Sequence, residues 1–238
     1  MTSPSKLSIV YGTNKQADCP AADGSYSTCQ RVRVKKVTVH ELYDSQNVVN
    51  DLAVYELEKP VSVTLKNGMG SLPATNPPTG TSTFVIGWGL ISDADGQAVN
   101  ELRKGLVPIT AESNCNALGM GMDSTKGQLC AGSGNGIDAC SGDSGGPLAY
   151  QTNNGTWVVA GLVSYGPSGC GVASSRSNRG VYTSVAFFKN WILSKTNSSL
   201  AVVDTGGGGG IKDQNNGGSI AVLSFSLIFI VILVMWWI

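Results

Sequence analysis

The chain has 238 residues, 16 Lys+Arg balanced by 16 Asp+Glu, 31 Gly and only 13% charged residues. That length fills one large domain or two small lobes with a real core. A neutral chain with no basic run gives no support for nucleic-acid binding. Helical periodicity is scarce before residue 184, and short Val/Ile/Thr/Tyr-rich runs broken by Gly, Asn and Pro predict an all-β body. Residues 7–11 and 30–40 read as the first strands. In the second, Arg31-Val32-Arg33-Val34-Lys35 alternates polar with apolar, as a half-buried strand does. Residues 53–57 form another strand. Residues 73–80, with Pro73, Pro77, Pro78 and Gly80, are breaker-rich and predict a crossover between lobes. Strands are then expected at 83–88, 102–109, 128–131, 147–150, 157–164 and 180–183, a spacing that suits a barrel or sandwich. Residues 184–194 predict one amphipathic helix, capped by Ser184, with Val185, Phe188, Trp191 and Ile192 on one face.

Beyond the helix, residues 195–219 are polar and Gly-rich, with five consecutive Gly at 206–210. Such a composition cannot bury a core and reads as a flexible linker. Residues 220–238 then carry no charge. As a helix they would span about 28 Å, close to a bilayer core of about 30 Å. Two readings follow, a spanning helix or a removable signal for a lipid anchor. No Lys or Arg follows the apolar run, which favours the lipid-anchor reading. Either one tethers the body to a membrane surface.

Six Cys is an even count, and no zinc spacing is present; the single His, His40, cannot complete a Cys/His site. No metal and no cofactor is implied. Disulfides in an oxidising compartment fit better, with fifteen pairings open on sequence alone. The tripeptides beginning at Asn154 and Asn197 are candidate glycosylation sites of a secreted chain. Residues 1–6 lack the apolar core of a signal peptide.

The most informative stretch is Asp138-Ala139-Cys140-Ser141-Gly142-Asp143-Ser144-Gly145-Gly146-Pro147. A nucleophilic Ser needs an exposed, sharply turned backbone, and flanking Gly lets amide N–H groups face a developing oxyanion. The loose G-x-S-x-G pattern of α/β-hydrolases also fits, but those enzymes need a His after the Ser, and none follows Ser144. The stretch resembles the active-site segment of the chymotrypsin/trypsin family of serine proteases. Asn50-Asp51-Leu52-Ala53-Val54 resembles the segment holding that family's triad aspartate. Gly87-Trp88-Gly89, Ser164-Tyr165-Gly166 and Gly180-Val181-Tyr182-Thr183 match further family segments in order, with Tyr165 where Trp is commoner. The resemblance covers roughly residues 7–194.

The resemblance implies two β-barrels with the site between them, the first incomplete here: a remnant at 1–79, a second barrel with the C-terminal helix at 80–195, the linker at 196–219 and the hydrophobic segment at 220–238. It implies Ser144 as nucleophile, Gly142 and Ser144 N–H groups as oxyanion hole, and Asp51 as the residue orienting the general base. Asp138 would floor the specificity pocket and select Arg or Lys. Gly166 and Gly180 would leave room for a long side chain, and Ser164 and Tyr165 would line the cleft. Disulfides Cys115–Cys130 and Cys140–Cys170 match family pairs; Cys19 and Cys29 share one loop and can pair locally.

One element is missing. The triad needs a His, and His40 lies eleven residues before Asp51, where the family has a non-catalytic His. Residues 7–12 resemble the strand that follows the family's catalytic His turn, so the chain is expected to begin downstream of it. Asp143 would then lack its family partner, the amino terminus released by activation. The expectation is a membrane-tethered, cell-surface, monomeric serine endopeptidase acting on polypeptides after Arg or Lys, inactive as this chain is written. The alternative is a non-catalytic homologue acting as a surface binding module.

Overall fold

The computed structural model describes residues 7–19, 29–61, 70–92, 96, 99–167, 170, 178–196 and 202–203. The expected linker beyond 203, the hydrophobic segment 220–238 and Asn197 lie outside the described residues. No helix among the described residues is long and apolar enough to cross a membrane.

Two antiparallel sheets carry the body. The first is three-stranded, β1 (Ser8–Tyr11), β2 (Gln30–Val39) and β3 (Ala53–Leu57), in that order. Val32 and Val34 of β2 point inward while Arg33 and Lys35 face solvent, as period-2 patterning requires. A register shift between Val34 and Lys36 breaks the alternation, leaving Lys35 and Lys36 both exposed. An extra residue at a bulge does this without disturbing the pairing on either side. Val32, Val34, Ala53, Tyr55, Leu57 and Val61 form this lobe's core. The Cys19–Cys29 disulfide ties the segment after β1 to the start of β2.

A two-residue strand β4 (Leu72–Pro73) leads into the second sheet: β5 (Ser82–Gly87), β6 (Arg103–Pro108), β7 (Gln128–Ala131), β8 (Pro147–Gln151), β9 (Trp157–Tyr165) and β10 (Gly180–Ser184). Its order is β6-β5-β8-β9-β10-β7. The outer strands then meet. Ile109 bridges Ala131, and the Gly132 amide donates to the Pro108 carbonyl at 2.8 Å. The sheet therefore curls on itself around a core that includes Val107, Leu148, Val158, Ala160 and Tyr182, all fully buried. The fold is mostly β, with few helices.

Helix α1 (Glu112–Asn116) is short, and the Cys115–Cys130 disulfide fixes it to β7. Its five residues cannot display a 3.6-residue repeat, so no periodicity announces it. Helix α2 (Val185–Lys195) is capped by Ser184, whose Oγ accepts from the Phe187 amide at 3.1 Å. It runs one residue past the sequence expectation. Val185, Phe188 and Ile192 pack against Leu52 of the first lobe, Leu72 of the crossover and Leu162 of β9. One helix thus closes the junction between both lobes. At its far end Glu41 accepts from Trp191 Nε1 at 2.7 Å and from Lys195 Nζ at 2.5 Å. After α2 a two-residue strand β11 (Val202–Val203) pairs in parallel with β4.

Leu148 is fully buried at the centre of the second sheet. Leu148→Ala should destabilise the body by about 2–5 kcal/mol, read from the urea midpoint. Val10→Ala, on an exposed position of β1, should change it by less than about 0.5 kcal/mol.

Candidate active site

The site is built on the loop between β7 and β8. Gly142 there has φ +95°, in the left-handed region. Its amide and that of Ser144 make no backbone hydrogen bond among the described residues, whereas the neighbouring Asp143, Gly145 and Gly146 amides donate to the Cys140, Val163 and Asp143 carbonyls. Among the described residues, these two N–H groups of the Ser144 turn are thus left without a backbone acceptor. Asp143 pins the loop from beneath. Its Oδ1 accepts from the Gly89 amide at 2.8 Å and its Oδ2 from the Cys140 amide at 3.0 Å. A Cβ at Gly87 would lie 2.0 Å from Asp143 Oδ1, so the Gly87-Trp88-Gly89 turn is shaped around this carboxylate. Burial raises the Asp143 pKa, against those two backbone hydrogen bonds.

Ser144 opens onto a cavity of ≈ 450 Å³ that Asp138, Ser164, Tyr165, Gly166 and Gly180 also line. Asp138 is pushed up to about 7, chiefly by burial; the Ala139 amide, 2.8 Å away, opposes this and the Asp143 charge adds to it. A Cβ on Gly180 would sit 3.3 Å from Asp138 Oδ1. Glycine at this position keeps the approach to the carboxylate clear. The Cys140–Cys170 disulfide joins two residues of the same wall.

Asp51 enters from the first lobe, just ahead of β3. It is buried, and its Oδ2 accepts from Ser164 Oγ at 2.7 Å. Its backbone carbonyl accepts from Thr183 Oγ1 at 2.8 Å. Burial raises its pKa to about 6, with the Ser164 bond opposing. Ser164 therefore touches both parts, donating to Asp51 and lining the cavity with Ser144. The structure lines one cavity with Asp138, Ser144, Ser164, Tyr165, Gly166 and Gly180; Asp51 reaches it only through Ser164, and Gly142 does not line it.

His40 stands elsewhere. Its ring packs against Trp191 at 4.8 Å and edge-on to Phe188 at 5.3 Å, and its Nδ1 accepts from the Leu42 amide at 3.2 Å. It does not line the cavity. Sequence reasoning missed two neighbours of the site. Tyr182 is fully buried, lines the cavity, and its hydroxyl has no hydrogen-bond partner among the described residues. Burial, then the Asp138 and Asp143 charges, raise its pKa far above the usual phenol value. Gln128 is also buried. Among the described residues no group of three or more His, Cys, Asp or Glu could hold a metal ion. Asn154 lies in the exposed turn between β8 and β9.

The Trypsin family model matches residues 14–192. The chain belongs to the trypsin family. Its trypsin-family relatives include mouse (Mus musculus) transmembrane protease serine 11C, 38% identical over 167 residues, which are 68% of this chain and 38% of that protein. Rat (Rattus norvegicus) transmembrane protease serine 11G is 35% identical over 169 residues, 69% of this chain and 39% of that protein. Trypsin eta of Drosophila erecta is 36% identical over 168 residues, 69% of this chain and 61% of that protein. The chain thus spans less than two thirds of each relative's length. Neuropsin, a serine protease expressed in the limbic system of mouse brain, shares the fold, with a TM-score of 0.65, 23% identity, and coverage of 80% of this chain and 85% of its own. The trypsin-family serine protease body accounts for the curled sheets and for the Asp138-to-Pro147 stretch.

Folded-state values of about 6 for Asp51 and about 7 for Asp138 lie above the ordinary carboxylate value. The folded chain therefore holds these protons more tightly than the unfolded one, and their contribution is lost as pH rises through those values. Burial lowers the His40 value, so its contribution runs the other way and is lost as pH falls. The urea midpoint should drop as pH rises from about 4 to about 7, and Asp138→Asn should flatten that slope.

Proposed function

We propose that this chain carries a serine-endopeptidase site of trypsin-like specificity, cleaving polypeptides after Arg or Lys, and that the 238-residue chain does not turn substrate over by itself. The observation that carries the reading is Asp138, a buried carboxyl lining the same cavity as Ser144. A guanidinium or ammonium entering there meets a carboxyl that ionises as the cation arrives, forming a charge-assisted pair. The scissile carbonyl is then presented to Ser144. In acyl transfer the Ser144 Oγ bonds to the carbonyl carbon while a general base takes its proton. The Gly142 and Ser144 N–H groups receive the developing oxyanion. The base returns the proton to the leaving amine, and water then hydrolyses the acyl ester. Asp51 would hold an imidazole base in the right tautomer and stabilise its cation.

The only imidazole of this sequence, His40, is engaged by Trp191, Phe188 and the Leu42 amide. Turnover at this site would therefore need a base other than His40. We take residues 1–79 as part of a first barrel, 80–195 as the second, 196–219 as a linker and 220–238 as a membrane-anchoring segment. Two relatives are named transmembrane proteases, which supports tethering at the extracellular face after passage through the secretory pathway. Three disulfides suit that oxidising route, and we take exposed Asn154 as a glycan acceptor. The position of His40 also supports a second reading, a non-catalytic binding module that keeps the cavity but performs no chemistry.

Fluorescence titration of the full chain with p-aminobenzamidine tests the cavity. Affinity should rise as pH rises through about 7, and Asp138→Asn should weaken it at least about tenfold. Absence of binding to the wild-type chain would discard the trypsin-like pocket. Amidase assays on Arg- and Leu-ending peptides test the chemistry. The 238-residue chain should show no turnover, and any turnover overturns its inactivity. A form of the chain given a His beside Asp51 should cleave the Arg peptide far faster than the Leu peptide; equal rates discard the specificity, and no cleavage favours the binding module.

A further inference from the structure

The segment leading into Asp51 is held in an unusual conformation. Val48 and Asn50 have φ of +49° and +53°. Asn adopts this left-handed region readily, but a β-branched residue there is a genuine outlier. Such strain persists only where the surroundings impose it. Within the segment, Asn50 Nδ2 donates to the Leu42 carbonyl at 2.8 Å, and Asp44 and Val49 exchange backbone bonds at 3.1 and 3.2 Å. None of these engages the Val48 carbonyl.

That carbonyl is taken by the other lobe. Gln128, the first residue of β7, donates from Nε2 to the Val48 oxygen at 3.0 Å across 80 positions of sequence. Its Oε1 accepts from the Asp123 amide at 2.7 Å. The same carboxamide also works against the burial that raises the pKa of the Tyr165 phenol, and that phenol donates to the Met120 carbonyl at 3.4 Å. One buried carboxamide thus joins the strained turn, the Asp123 loop and the strand that lines the cavity. An apolar side chain of equal length would fill the space and leave the Val48 oxygen and the Asp123 amide without it.

We propose that Gln128 is a positioning residue of the site, holding the Val48–Asn50 turn in its left-handed conformation and so fixing Asp51 against Ser164 of β9. The proposal rests on the trypsin-family reading of Asp51, but its measurements do not depend on turnover.

The test uses the full-length chain in detergent with Gln128→Met and Gln128→Glu. The Glu variant keeps an acceptor for the Asp123 amide and turns a carboxylate oxygen on the Val48 carbonyl. Hydrogen exchange by mass spectrometry and carbonyl NMR titration of Asp51 and Asp138 are the readouts. In both variants residues 42–52 should exchange at least about tenfold faster while α2 keeps its wild-type rate. The Asp51 midpoint should fall from about 6 toward the ordinary carboxylate value as water reaches it, while that of Asp138 stays near 7. The loop at Asp123 should loosen in Gln128→Met only. Adding Val48→Asn, which tolerates the left-handed turn, should restore the Asp51 midpoint. If Gln128→Met fails to fold, Gln128→Glu decides. Unchanged exchange at 42–52, an unchanged Asp51 midpoint, or equal acceleration throughout the chain would overturn the proposal. Failure of p-aminobenzamidine to bind would instead count against the pocket and leave this result standing.

Discussion

The site depends on one buried hydrogen bond between lobes, from Ser164 Oγ to Asp51 Oδ2 at 2.7 Å. Asp51 lies just ahead of β3 of the three-stranded sheet, Ser164 on β9 of the six-stranded one. A buried carboxylate is costly unless its oxygens are engaged, so this contact both requires and enforces the close approach of the two sheets. Thr183 reinforces it through the Asp51 backbone carbonyl. Helix α2 covers the contact region from outside with Val185, Phe188 and Ile192. The Asp51–Ser164 contact and the lobe junction are thus one assembly.

Three carboxyls, Asp51, Asp138 and Asp143, are raised in pKa mainly by burial. Among the described residues none of them forms a salt bridge; their partners are hydroxyl and amide groups. Hydrogen bonds to backbone amides favour the charged form, but here they do not offset the loss of water. The pocket is therefore poised rather than pre-charged. On the proposed specificity, an arriving cation would supply the stabilisation that the protein withholds, and charge would develop in the cavity together with occupancy.

Much of this was legible in the sequence. The strands Ala53–Leu57 and Gln128–Ala131 have the expected bounds, because alternating or apolar runs end there at turn residues. The Ser184 cap and the inward residues of α2 follow from helical spacing. Helix α1 escaped because five residues show no period. The shift between Val34 and Lys36 escaped because a bulge looks like one more polar residue in an alternating run. The family resemblance singled out Ser144 and Asp138, which line one cavity, and Asp51, which bonds Ser164; composition alone gave Asp51 no distinction from a turn residue. Gln128 and the Tyr182 hydroxyl were invisible for a different reason. Their significance lies in partners or charges brought near only by folding, and no local pattern encodes a contact across 80 positions.

Helix α2 is the last substantial element of the body, yet it covers Leu52, Leu72 and Leu162, which come from three earlier parts of the chain. During synthesis those leucines must wait for residues 185–192 before their apolar faces are sealed. Each sheet can pair its strands as it emerges, but the seam between them closes only at the end. A nascent chain therefore passes through a stage with formed sheets and an open, sticky seam, the kind of surface that chaperones hold. Any truncation that removes α2 would make that transient exposure permanent.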